Sequence, residues 1–413
     1  MGRRVGQTVG QIVVWLAAGV TFFLSLWIVL PGPTLFFLRL AVGAPENSPL
    51  LALIALLLLG LTLRLYGSFS RKQTLPPLLL LILLATLALS SLPLLQQPEA
   101  VAQAQRSMAL AFEAPSLDAA SYPTFSWLNF FRGVPLGAVR SRKHIEFGAP
   151  ANQPLFLDLY QPSTPGQYPA VVTIYGGSWQ QGSPAASAQM SQYLAARGYV
   201  VVAIDYRHAP QYPFPAQLED VQSALAFISD RADDYEIDRD RVALLGWSAG
   251  AHLAMLAGFQ PGRSPMPARI PARMPARMPV KSIVDYYGPI DLAAGYVDPP
   301  VPDPINSRKV LLALIGGPPS DRAEAYAAAS PITYVKTAEA NQLPPVLLIY
   351  GGRDHLVEAR FGKRMYDALI QSGNQAVWIK IPWAEHAFDK IFNGVSNQMA
   401  LHFIEQFLHQ TLL

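Results

Sequence analysis

The stretch RVALLGWSAGAHLAML, Arg241 to Leu256, decides the fold. Val242 to Leu245 make an unbroken apolar run, the pattern of a strand buried on both faces. The run stops at Gly246, a serine stands at 248 before Gly250, and an alanine- and leucine-rich helical pattern follows at once. A strand that turns directly into a helix is the repeating unit of a parallel sheet. The same alternation extends both ways. AVVTIYGG (170–177), YVVVAIDYR (199–207), VKSIVDYYG (280–288), PPVLLIYGG and QAVWIKIP read as strands, with helical patterns between them, and HIEFG with PLFLDLYQP reads as an edge hairpin. Residues 143–413 are therefore expected to form an α/β domain, a mostly parallel sheet covered by helices on both faces.

Two segments interrupt this rhythm. MPARIPARMPARMP (266–279) carries proline at a four-residue spacing, which forbids helix and strand, so a flexible loop is expected over 262–280. Its arginines suit an anionic lipid contact, but repeat expansion in a tolerant loop is the plainer account. Residues 292–330 are expected to form a cap, with RKVLLALIGG as a helix whose apolar face lines a pocket.

The N-terminal part has a different character. Hydrophobic residues make up 51% of the chain and charged residues 14%, against a usual quarter or so, and the deficit is concentrated before residue 100. Three apolar runs, about 11–30, 50–66 and 75–95, are long enough to cross a bilayer core of ~30 Å, so residues 1–95 are expected to be an all-α transmembrane region. A cleaved signal peptide has one short apolar core, not three long ones. PTLFFLRLAVG (33–43) is read as a re-entrant or interfacial piece that could upset the count. Arg3 and Arg4 precede the first run, and Arg64, Arg71 and Lys72 lie between the second and third. This bias places the N-terminus in the cytoplasm and, after three crossings, the α/β domain on the extracytoplasmic side. Residues 96–142 read as a tether. Within it, EAVAQAQRSMALAFEA fits a short surface helix, and FSWLNFFRG (125–133) an aromatic segment at the membrane interface or under the domain.

Ser248 raises the question of chemistry. A hydroxyl on a sharp strand-to-helix turn is exposed, and the helix N-terminus behind it favours developing negative charge. Gly246 and Gly250 would relieve crowding in such a turn. The hydroxyl also needs a base and an acid that orients the base, which follow the serine in this kind of fold. Of seven histidines, His144 and His208 precede Ser248. His252 is one helical turn beyond it and suits packing, His355 adjoins the best acid, and His402 and His409 fall in the last helical pattern. His386, in PWAEHAFD, remains. Asp354, in LLIYGGRDHLV, stands at the carboxyl end of a buried strand, where open α/β sheets gather their sites. Asp389 and Asp291 are weaker alternatives. An oxyanion needs amide donors, and those of Gly177, Ser178 and Ala249 are the candidates, with Tyr175 and Gly176 supporting the loop.

These residues resemble the α/β-hydrolase superfamily in its carboxylesterase and hormone-sensitive-lipase-like branch. The motifs are YGGSW, DYRHAPQYPFPAQLED (205–220), GWSAGAHLA, ASPITYV (329–335), GGRDHLV and EHAF, in the family's order. Tyr175 departs from the histidine usual before the paired glycines. Membrane-anchored prenylcysteine methylesterases have a similar layout. The resemblance implies an esterase acting through a covalent acyl-serine, on a small-molecule or lipid-like ester; an amidase with the same residues, or a non-catalytic protein on this scaffold, are the alternatives. No cofactor or metal is expected. The chain has no cysteine, which removes disulfides, zinc-thiolate sites and cysteine nucleophiles, and its net charge of +3 gives no footprint for nucleic acid.

Overall fold

The computed structural model describes residues 2–66, 76–112, 123–259 and 278–413. Arg71, Lys72 and most of the proline-arginine repeat lie outside them. Helices α1 (Gly2–Leu26), α3 (Ser48–Tyr66) and α4 (Pro77–Phe112) form a bundle, and α2 (Leu35–Glu46) connects the first two. Thr8–Leu26, Ser48–Tyr66 and α4 are long and apolar enough to cross a membrane. Val14, Ala18, Leu79 and Leu83 pack inside the bundle, while Leu16, Leu57 and Leu81 point outward and give it an apolar outer surface.

The expected linker begins differently. The apolar run ends at Leu95, and a separate short surface helix is expected after it, yet α4 continues unbroken through Pro93 and Pro98 to Phe112. Tertiary packing outweighs the lost backbone bonds. Ala100, Ala104 and Met108 are buried in the core of the α/β domain, small residues that let the helix approach closely.

A short helix α5 (Trp127–Arg132) precedes the sheet. Its strands are β1 (Val139–Gly148), β2 (Leu155–Pro162), β3 (Tyr168–Ile174), β4 (Val200–Ile204), β5 (Ile237–Trp247), β6 (Val280–Tyr286), β7 (Val346–Gly351) and β8 (Ala376–Ile381). They lie in the order β1-β2-β4-β3-β5-β6-β7-β8; β1 and β2 pair antiparallel at one edge, β2 also pairs antiparallel with β4, and all later pairings are parallel. From Val242 to Trp247, central β5 is apolar without alternation because both its faces are covered there. Helices α6 (Ala188–Ala195), α7 (Ala216–Asp230), α8 (Ala249–Phe259), α13 (Ala359–Gln371) and α14 (Val395–Leu412) supply much of that cover. Between β6 and β7, α9 (Leu292–Val297), α10 (Ser307–Ile315) and α11 (Ala323–Ala328) occupy the expected cap, followed by α12 (Pro331–Val335). The far edge, β8, is covered by α4, and the Trp378 amide donates to Ser107 Oγ at 2.8 Å.

Further polar ties join the bundle to the domain. Arg353 donates to the Val29 carbonyl, and the Glu46 carboxyl accepts from the Ser396 amide at 2.9 Å and from the Ser396 hydroxyl. Trp383 Nε1 donates to the same hydroxyl at 2.9 Å. Burial pushes the Glu46 carboxyl up to about 8. The folded chain thus keeps a proton that the unfolded chain releases above 4.5, and stability falls as pH rises from there towards about 8. Glu46→Ala is expected to cost about 1–3 kcal/mol by stranding buried donors. Glu46→Gln should keep most of the stability and flatten its pH dependence, as read by thermal unfolding.

Candidate active site

The turn from β5 into α8 holds Ser248 at φ 50°, a left-handed conformation costly for a residue with a side chain. Its neighbours explain how the turn closes. A Cβ at position 246 would lie 2.4 Å from the Gly250 carbonyl, and one at 250 would lie 2.0 Å from the Ile174 carbonyl of β3. Only glycine fits either place. The Ser248 amide donates to Tyr286 of β6 at 2.8 Å, which fixes the turn against the sheet.

Loops at the carboxyl ends of β7 and β8 bring two further groups to the serine. His386 Nε2 is 3.1 Å from Ser248 Oγ, and His386 Nδ1 is 2.8 Å from Asp354 Oδ2. The other oxygen of Asp354 accepts the amides of Leu356 at 2.8 Å and Val357 at 2.7 Å, so the carboxylate cannot swing. Burial alone would lower the His386 pKa, but the Asp354 charge and hydrogen bond outweigh it and hold the imidazole above its ordinary 6.5. The weaker acid candidates are engaged elsewhere. Asp389 accepts from the Tyr287 hydroxyl, and Asp291 caps α9 and pairs with Arg364.

The turn after β3 lies against the serine. A Cβ at Gly176 would meet the Trp247 carbonyl at 2.7 Å and Ser248 Cβ at 3.2 Å. Gly177 has φ 137° and Ser178 φ 54°, and both border a cavity of about 340 Å³. The amides of Gly177, Ser178 and Ala249 make no backbone hydrogen bond among the described residues, so they can serve an incoming oxygen. Apolar cavity walls come from Trp179, Trp247, Ile290, Leu356 and Phe361, with Val310 and Leu311 of α10 from the cap.

Several supporting contacts are not evident in the sequence. The Tyr175 hydroxyl donates to Asp205 and sits 2.9 Å from His208 Nε2, while Tyr206 donates back to the Tyr175 carbonyl at 3.1 Å. Trp179 Nε1 donates to His252 Nδ1 at 3.2 Å, and His252 Nε2 meets the Ala329 carbonyl at 2.6 Å. Burial lowers His252 to about 4, so it stays neutral and bridges the β3 loop to the helix of the serine. Glu385 accepts the His386 amide at 2.9 Å and the His355 amide at 2.7 Å, which ties the acid loop to the histidine loop. The remaining sequence signals were a tryptophan two residues after paired glycines and a histidine one turn past the elbow; neither names its partner.

Comparison with known proteins bears on the fold and the family. A probable carboxylic ester hydrolase, LipM of Mycobacterium tuberculosis, is 32% identical over 253 residues, covering 59% of this chain and 54% of the relative. Esterase LipC of the same organism is 31% identical over 66% of this chain and 67% of its own length. The chain thus spans about half of the first of these relatives and two thirds of the second. Among solved structures, the thermostable carboxylesterase EstE1, cloned from a metagenomic library, superposes with a TM-score of 0.54 at 22% identity, over 78% of this chain and 98% of that one. That likeness shows the α/β-hydrolase fold. With the BD-FAE family model matching residues 157–369, more than half of its length, the chain belongs to the BD-FAE family of α/β-hydrolase proteins.

Proposed function

We propose that the protein is a membrane-anchored serine hydrolase that cleaves carboxylic esters through an acyl-enzyme. The observation that carries this reading is the continuous chain from the Ser248 hydroxyl through His386 to Asp354, with Ser248 and His386 lining an apolar cavity. Ser248 Oγ attacks the ester carbonyl as His386 Nε2 takes its proton. Amides of Gly177, Ser178 and Ala249 hold the tetrahedral oxyanion, each typically worth 10² to 10³ in rate. The imidazolium then protonates the departing alkoxide, leaving Ser248 acylated. Water, deprotonated by the same imidazole, attacks the acyl-serine and releases the acid. The names of the relatives support ester hydrolysis, and the three apolar helices support anchoring.

A fluorophosphonate probe is expected to label Ser248, located by peptide mass spectrometry, and the purified protein should hydrolyse p-nitrophenyl esters. Labelling without hydrolysis of esters, alongside cleavage of arylamides, would replace the esterase assignment with an amidase. Applied to intact and permeabilised cells, the probe also reports which side of the membrane the serine faces; the positive-inside bias predicts labelling from outside.

A further inference from the structure

The carboxyl edge of the sheet, where Ser248 lies, is the edge turned towards the bundle. Val29 and Glu46, just beyond α1 and at the end of α2, bond to Arg353 in the acid loop and to Ser396 at the start of α14. The same end of α14 holds α5. Gln398 Oε1 accepts the Ser126 amide at 2.8 Å, and Asn393 Nδ2 donates to the Phe130 carbonyl at 2.5 Å. α5 also touches the bundle through its leading segment, where Gln97 Nε2 donates to the Thr124 carbonyl at 3.3 Å.

Gln97 marks a boundary on α4. From Pro77 to Leu95 the helix is apolar, a rise of about 28 Å at 1.5 Å per residue, close to one hydrocarbon core. Gln96, Gln97 and Glu99 then follow. α5 is therefore fixed at the depth where α4 leaves the apolar layer. Its inner side is buried through Phe130, but Trp127, Leu128 and Phe131 are 52%, 58% and 57% exposed, and Arg132 ends the helix. Leu30, between α1 and α2, and Leu35 and Phe36, in the first turn of α2, are exposed as well. Large apolar side chains set beside a membrane-crossing helix at its polar boundary match the aromatic belt of interfacial segments.

We propose that α5, with the α1–α2 connection, forms an apolar collar that sits in the headgroup layer of the bilayer and seats the carboxyl edge of the sheet against it. The inference rests on the membrane-anchored esterase reading above and adds to it a second lipid contact and a substrate source, esters held in the adjoining leaflet. Water is excluded from the base of the domain by the collar, and an amphiphilic ester reaches the cavity without crossing bulk solvent.

The lack of cysteine makes the test direct. In the full chain reconstituted into phosphatidylcholine vesicles, Trp127→Cys and Phe131→Cys would each carry an environment-sensitive nitrobenzoxadiazole label, with Asp240→Cys, exposed on β5, as the aqueous control. Blue-shifted emission at 127 and 131, quenched by nitroxide lipids, is expected, with neither effect at 240. Emission at 127 and 131 like that at 240 overturns the collar. A Trp127→Ser/Leu128→Ser/Phe131→Ser variant should hydrolyse a soluble short-chain ester within twofold of the parent. On a long-chain ester carried in the vesicles its rate should fall about tenfold or more. An equal fall on both substrates, or none on the vesicle-borne one, rejects the substrate route. If the parent hydrolyses neither ester, the esterase reading fails while the fluorescence result still decides the collar; a chain that does not float with the vesicles removes the anchoring itself.

Discussion

Ser248→Ala is expected to lower kcat on a soluble ester by roughly 10⁵ to 10⁶, comparable to loss of a nucleophile elsewhere. Alanine keeps the volume of the turn and leaves Gly246 and Gly250 in place, so the fold should be retained, as circular dichroism can verify. What persists above the uncatalysed rate reports the amide donors alone, typically 10³ to 10⁴ over water. Steady-state kinetics with fluorophosphonate labelling measure both quantities. A variant with a few per cent of the parent rate would remove Ser248 from the mechanism. The pH profile of the parent follows from the same geometry. Only neutral imidazole can accept the hydroxyl proton, and His386 is held above 6.5. The acid limb of kcat/KM should therefore have its midpoint above 6.5, with activity lost as pH falls through it.

Asp354→Asn should cost about 10⁴ in kcat, by a route visible in the hydrogen bonds. The amides of Leu356 and Val357 both donate to Oδ1 of Asp354. In the asparagine variant they will hold the side-chain carbonyl there, which turns the amide NH₂ towards His386 Nδ1. That nitrogen must then accept, so the proton moves to Nε2, the atom facing Ser248, and the base points its occupied side at the nucleophile. The variant also loses the negative charge that offsets burial, so any residual activity should show its acid limb shifted to lower pH. A fall of less than tenfold, with the midpoint unmoved, would mean that Asp354 does not orient His386.

Much of this arrangement was legible because chemistry and chain direction coincide. Ser248, Asp354 and His386 each lie within a few residues of a strand's carboxyl end, and a parallel sheet gathers such positions at one edge. Contacts between residues distant in sequence were not legible. Nothing around Tyr287 announces that it occupies Asp389, and nothing in GGSW tells that its tryptophan meets His252. The run of α4 past residue 95 was hidden for a different reason. The apolar run ends at Leu95, but the burial of Ala100, Ala104 and Met108 against the sheet carries the helix on to Phe112. Likewise nothing in the sequence around Glu46 marks it as buried, and only the fold places it inside, on Ser396.

The helix lying along β8 has a practical meaning for anyone who would separate the two halves of the molecule. Cleaving the chain ahead of residue 143, to free a soluble catalytic portion, strips that strand of its shield and leaves the amide that Ser107 had been receiving open to solvent. A bare outermost strand recruits its like from neighbouring copies. Such a fragment should self-associate through β8, and a lysine introduced there on the newly uncovered side should oppose that pairing.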